Sequence, residues 1–147
     1  MKRFFICAVT ALFCALTSGC VSTAAAVTQD ITPESQRKLQ LHSAAILDAF
    51  MAKDYQQLRG LLSDNIAAEF PEEKFSNSIK QLEKTLGTMK NYLYLTELKV
   101  PILRTMVYKV TFERTGSKQE KITQEALFRI TMAEDKGKVM VLGFHFF

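Results

Sequence analysis

The sequence predicts an α+β domain in which N-terminal helices pack on the concave face of a curved, mostly antiparallel four-stranded sheet. Three observations carry this. Apolar residues recur at helical spacing from Leu39 to Leu86, and the period changes to two after Gly87. Helices followed by strands, rather than alternating with them, separate the two kinds of element into layers. Short turn sequences between consecutive strands favour an antiparallel meander over crossovers.

Thr32-Pro33-Glu34 reads as a helix start, with a capping hydroxyl, proline at the first helical position and an acid in the first turn. Leu39, His42, Ile46, Ala49 and Phe50 then follow at helical spacing. Asp54-Tyr55-Gln56-Gln57 is a capping box for a second, shorter helix with Leu58, Leu61 and Leu62 on its apolar side. Ser63 to Phe70 reads as a break or short strand, with Asp64 and Asn65 as turn formers. Pro71 opens a third helix whose core face is Phe75, Ile79, Leu82 and Leu86, and Gly87 ends it. The strands are expected at about Tyr92–Ile102, Arg104–Arg114, Lys121–Met132 and Lys138–Phe147, with turns containing Pro101, Gly116-Ser117 and Asp135-Lys136-Gly137.

The N-terminus has a different character. Lys2-Arg3 precedes an apolar-leaning run from Phe4 to Leu16, and small residues follow, which is the pattern of a secretory signal peptide. The run is short for a membrane span, which needs roughly 20 apolar residues. Leu16-Thr17-Ser18-Gly19-Cys20 resembles the lipobox of bacterial lipoprotein precursors, with leucine one place further from the cysteine than usual. The resemblance implies a signal peptide over 1–19, lipidation at Cys20 and anchoring to the membrane through that lipid. It also implies a place in the cell envelope: Val21 is not an aspartate, so in a Gram-negative cell the protein would sit on the outer membrane facing the periplasm. Residues 20–31 read as a flexible tether and 32–147 as the domain. Ala24-Ala25-Ala26 offers the alternative of ordinary cleavage after Ala26 and a soluble periplasmic or secreted product. An uncleaved anchor fits less well, because Thr, Ser and Gly interrupt the second half of the uncharged stretch.

Composition narrows the function classes. Hydrophobic residues at 48% and charged residues at 23% are globular proportions. The net charge of +4 includes Lys2 and Arg3; without them 17 basic side chains face 15 acidic ones, and no basic run exceeds two residues. A nucleic-acid partner needs a clustered basic surface and is not expected. Cys7, Cys14 and Cys20 are the only cysteines, so the domain can hold no disulfide, thiolate nucleophile or thiolate metal site. Two isolated histidines, His42 and His145, give a metal site no support, and no cofactor motif is present.

The order of elements, with Leu61-Leu62-Ser63-Asp64 leading through Ile66 to Phe70-Pro71, a helix ending in Leu86-Gly87 and a closing Val141-Leu142-Gly143-Phe144, resembles the nuclear-transport-factor-2-like, cystatin-like cone superfamily over roughly residues 33–147. Such a resemblance implies a cone-shaped domain. It does not choose between isomerases, dehydratases, adaptors and assembly modules.

Alternation places chemistry on the sheet faces. Met106, Tyr108, Val110 and Phe112 share one face of the second strand, and Ile122, Gln124, Ala126, Phe128, Ile130 and Met132 one face of the third. Leu98, Val100 and Ile102 in the first strand, with Met140, Leu142, Phe144 and Phe146 in the last, complete the more apolar set. Burying such side chains is worth roughly 1.5–3 kcal/mol each, so this set is expected inside. The concave face then carries no Asp, Glu or His. Its polar groups are Tyr108 and Gln124, with Tyr92, Tyr94 and Thr96 near one end, while Glu97, Glu113 and Glu125 fall outside.

A cone-shaped isomerase needs an acid or base inside, so this reading favours a non-catalytic module that binds a small apolar ligand or a protein. Tyr108 and Gln124 are the candidate ligand contacts. The alternatives are an isomerase- or dehydratase-like enzyme, with Tyr108 as polar handle and Asp48 or Glu69 as base, and a homodimeric assembly module using Val107, Leu127, Val139 and Val141 on the outer face. His42 is expected to be packed at a helix edge, and His145 at the surface or in an interface.

Overall fold

The structure, a computed structural model, describes residues 32–147. The expected signal peptide over 1–19, the expected lipidation at Cys20, the alternative cleavage after Ala26 and the expected tether over 20–31 lie outside the described residues. Four helices come first: α1 (Pro33–Ala52), α2 (Tyr55–Leu61), α3 (Asp64–Glu69) and α4 (Glu72–Thr85). Four strands follow: β1 (Thr88–Val100), β2 (Leu103–Thr115), β3 (Lys121–Asp135) and β4 (Lys138–Phe146). They form one antiparallel sheet in the order β1-β2-β3-β4. The α+β class and the meander are as the sequence predicts.

The local start and stop signals behave as their chemistry requires. The Thr32 hydroxyl accepts from the Ser35 amide, and Asp54 accepts from the Gln57 amide at 3.0 Å. Gly87 closes α4 at φ +104°, where a Cβ would collide with the Glu113 carbonyl. Only glycine fits there.

Two boundaries differ from expectation. Asp64 and Asn65 are not turn formers: Ser63 to Phe70 contains helix α3, whose six residues are too short to show a helical apolar period. The Ser63 hydroxyl donates to the Val141 carbonyl at 2.7 Å instead of capping its own helix. Strand β1 begins at Thr88 rather than Tyr92, and it stops before Ile102. Pro101 and Ile102 form the turn, with Ile102 at φ 62°.

Register explains the larger departures. Strand β2 pairs with β3 without interruption from Arg104↔Met132 to Thr115↔Lys121. Met106, Tyr108, Val110, Phe112, Ala126, Phe128, Ile130 and Met132 are all buried, as their alternation predicts. Strand β1 has irregularities between Met89 and Asn91 and between Tyr94 and Thr96. Each inserts one residue, Lys90 and then Leu95, and each extra residue reverses the faces beyond it.

Tyr92 and Tyr94 therefore face inward beside Val110 and Tyr108, and Glu97 faces inward beside Met106. Leu98, Val100 and Ile102, expected inside, are 53%, 51% and 69% exposed. Thr96 pairs with Val107 and is exposed. A third irregularity inserts Leu142 into β4 opposite Thr131 and Met132. Val139 and Val141, expected outside, join the core, whereas Leu142 is 46% exposed and Met140 pairs with Ala133 away from the buried row. Phe144 and Phe146 pack inward as expected.

The core sits between the helices and the inner sheet face. Phe50 of α1 is its hub, with ring centroids 5.3 Å from Phe75, 5.6 Å from Phe144 and Phe146, and 6.3 Å from Phe128. These edge-on and tilted pairs fill the hollow with aromatic side chains.

Candidate functional site

Three regions could act on another molecule: a polar cluster under α1, a groove between α4 and β4, and the outer face of the sheet.

The polar cluster contains the first candidate, Tyr108. Its hydroxyl lies 2.6 Å from the buried Ser43 hydroxyl and 3.4 Å from the Gln40 carbonyl, which accepts from it. Tyr92 and Tyr94 stack edge-on against its ring, at 5.9 and 5.6 Å. Tyr92 donates to Asp48 at 2.8 Å. Burial pushes the Tyr92 hydroxyl from 10.0 up to about 12, and the hydrogen bond and charge of Asp48 push the same way. Tyr94 is raised by burial and then by the Glu97 charge, and Tyr108 by burial against an opposing bond to Ser43.

Glu97 completes the cluster and corrects the expected charge-free interior. Its side chain is 4% exposed, and its Oε1 lies 3.1 Å from Nε of Arg104, itself 10% exposed. The contact is an ion pair by distance but lacks hydrogen-bond alignment, so both carboxylate oxygens and the Arg104 Nε remain without a hydrogen bond. Nη1 of Arg104 reaches the Val100 and Leu103 carbonyls only at 3.5 and 3.4 Å. The pairing is electrostatic, which costs much of its value in desolvation. Sequence alternation missed both groups. Leucines and valines on both parities between Leu93 and Val100 were the available sign of an irregular strand. Gly143 inside β4 was the corresponding sign there.

The second candidate, Gln124, does not join Tyr108. It pairs with Phe112, while Tyr108 pairs with Phe128 four residues along, a separation of about 13 Å. Its buried Oε1 has no hydrogen-bond partner. At that separation the two side chains do not hydrogen-bond to each other. Asp48 is exposed and engaged with Tyr92, and Glu69 is exposed at the end of α3. His42 is packed: its Nε2 sits 2.8 Å from the Leu61 carbonyl, so that nitrogen donates. His145 is exposed, with its ring 4.6 Å from Phe147. Glu113 and Glu125 are outside, paired with Lys121 at 2.6 Å and Lys109 at 2.8 Å. Among the described residues no three His, Cys, Asp or Glu side chains cluster to hold a metal ion. No described helix is long and apolar enough to cross a membrane.

The groove between α4 and β4 is open to solvent, spans about 730 Å³ and is lined mostly by apolar surface, with Phe50, Phe70, Leu82, Phe144 and Phe146 among its residues. On the outer sheet face, Leu93, Leu95, Leu98, Val100, Leu127 and Leu142 are between 43% and 56% exposed. Leu95, Leu98, Val100 and Leu142 lie toward the β1–β2 turn, whereas Lys109 stands between Leu93 and Leu127, Arg129 stands beside Val107, and the Lys109–Glu125 and Lys121–Glu113 pairs lie farther from that turn.

Fold and surfaces together define an α+β module with a packed aromatic interior and an outer sheet face that mixes exposed leucines with ion pairs. No family model and no curated protein matches the chain. Among solved structures it is similar in fold to Aln2 from a Streptomyces species, at 10% identity over 78% of this chain and 90% of that one, TM-score 0.51. It is also similar to the association domain of CaMKII from C. elegans, at 14% identity over 77% and 95% of the two chains, TM-score 0.49. A designed nuclear-transport-factor-2-like protein is similar at 10% identity over 78% and 99%, TM-score 0.47. At these identities the likeness concerns fold alone.

Proposed function

We propose that this chain is a non-catalytic assembly module of the cell envelope, anchored through a lipid on Cys20, whose domain pairs with a second copy through the outer sheet face. One observation carries the reading. The two extra residues in β1 turn Leu93, Leu95, Leu98 and Val100 outward, with Leu127 on the same face across Lys109, so a domain with a packed interior keeps a row of apolar side chains in water.

The magnitudes support a moderate association. Five half-exposed leucines and valines per protomer, doubled by a two-fold axis and worth ~1 kcal/mol each, supply on the order of 10 kcal/mol. Lost translational and rotational freedom costs about 4–15 kcal/mol. The pair is therefore expected to be concentration-dependent rather than obligate.

The inward Glu97 is the single feature that favours an enzyme of the isomerase or dehydratase type. Against it, Arg104 stands 3.1 Å from that carboxylate, and the Tyr108 hydroxyl is already occupied by Ser43. A general base needs a free path to its proton.

Light scattering on the size-fractionated chain tests the assembly: a mass of two chains is expected, and one chain for Leu95→Lys/Leu98→Lys with an unchanged circular-dichroism spectrum. A wild-type monomer throughout the accessible concentration range, or an unchanged dimer in the variant, overturns it. Intact-mass spectrometry of the membrane fraction tests the anchor. A species beginning at Cys20 and carrying diacylglycerol and acyl mass is expected; one beginning at Val27 means release as a soluble protein.

A further inference from the structure

We infer that the groove between α4 and β4 binds a free long-chain fatty acid, its hydrocarbon chain along the phenylalanines and its carboxylate at the Lys74 end. This site is separate from the outer sheet face and does not depend on dimerisation.

The argument begins with α4. Phe75, Ile79, Leu82 and Leu86 turn one stripe of this helix toward the core. Lys74, Asn77, Ser78 and Gln81 follow one another at steps of three, one and three, so they share the adjacent stripe, and all four line the groove. Across from them β4 presents Phe144 and Phe146, and α3 ends at Phe70. All three rings pack on the core yet keep part of their surface open to the groove. Phe70 and Phe144 meet edge-on at 5.1 Å, which makes a rigid wall rather than a loose flap. The volume of about 730 Å³ falls within the roughly 300–1,000 Å³ typical of small-molecule sites.

Charge selects among apolar ligands. Among the described residues the ionisable groups lining the groove are Lys74 and His145, with no carboxylate. Lys74 Nζ donates one hydrogen bond to the Glu69 carbonyl at 2.8 Å, which fixes the ammonium at the groove end and leaves two donors for an anion. Asn77, Ser78 and Gln81 supply neutral polar groups along one rim, against aromatic surface on the other. An extended apolar body with a single anionic head matches this distribution. An alkylamine would place its cation beside Lys74, without compensation.

Isothermal titration calorimetry of the full chain with oleate, below its micelle concentration, tests the site. Saturable one-to-one binding is expected. Lys74→Glu should weaken it about tenfold, the scale of losing one charge contact and adding a repulsion. Ser78→Trp, which fills the groove, should abolish it; Gln81→Trp, at an exposed helix position, serves the same purpose if the first variant fails to fold. Heat that remains in the folded groove-filling variants measures uptake elsewhere on the chain and is subtracted before the stoichiometry is read. The inference is overturned if saturable binding is absent, if oleylamine binds as tightly as oleate, or if folded groove-filling variants bind like the wild type.

Discussion

The two central strands and the two edge strands of this sheet follow different rules. In β2 and β3 every apolar residue on one parity except the half-buried Ile122 is buried, and the ladder between them runs without a break. In β1 and β4 inserted residues reverse the parity, so that leucines face water while Glu97 and Val141 face the core. A central strand has hydrogen-bonded neighbours on both sides, and an extra residue would break two ladders. An edge strand breaks only one, and the added twist turns its free backbone away from other chains. Alternation is thus a dependable guide where pairing is two-sided and an unreliable one at the margins.

The sharpest way to break this contrast is to cut into a central strand. Phe128→Ala removes a ring in contact with Phe50, Phe144 and Phe146 and should lower stability by about 3–5 kcal/mol, read by urea denaturation. A loss below about 1 kcal/mol would mean that the interior is less well packed than described.

Next comes the edge-derived ion pair. Arg104→Ala leaves the Glu97 charge buried without its partner and should cost about 3 kcal/mol, whereas Glu97→Leu/Arg104→Met should recover most of that. If the double variant is no more stable than the single one, the pair is structurally essential rather than tolerated.

A smaller effect concerns pH. The Tyr92 hydroxyl has a raised folded-state value of about 12 against 10.0 when unfolded, so the unfolded chain releases its proton first. Its contribution to stability is complete below pH 10 and is lost as the pH rises toward 12. Asp48→Asn should move the tyrosinate absorbance transition of Tyr92 downward, because two of the causes of its shift come from that carboxylate. Tyr92→Phe identifies which transition is followed.

The smallest expected effect is at the outer end of β1. Leu98→Lys should change monomer stability by no more than about 0.5 kcal/mol, since the side chain is 53% exposed. A loss of several kcal/mol would place Leu98 inside after all and return β1 to simple alternation.

Much of the architecture was legible in the residues because its signals are local. Thr32-Pro33, Asp54 and Gly87 act through the nearest turns of backbone, and the structure uses each as its chemistry suggests. Helix α3 was not legible, because six residues are less than two turns and set up no readable period; its Ser63 hydroxyl is spent on Val141, 78 residues away. The candidate site was half legible. Tyr108 lies in the polar cluster, but Gln124 lies elsewhere on the inner face, and Glu97 entered only through an insertion at Leu95 that no glycine or proline announces. The groove brings together side chains from α3, α4 and β4, and tertiary placement of that kind has no signature in spacing.

The first turn of α1 has a mechanical consequence. Ser35 donates to the Glu134 carboxylate, and Lys38 reaches both that carboxylate and the Gly137 carbonyl, so the start of the domain is bolted to the β3–β4 hairpin. In a chain pulled from the residues ahead of Thr32, load would reach these side-chain contacts with the sheet before it could unwind α1.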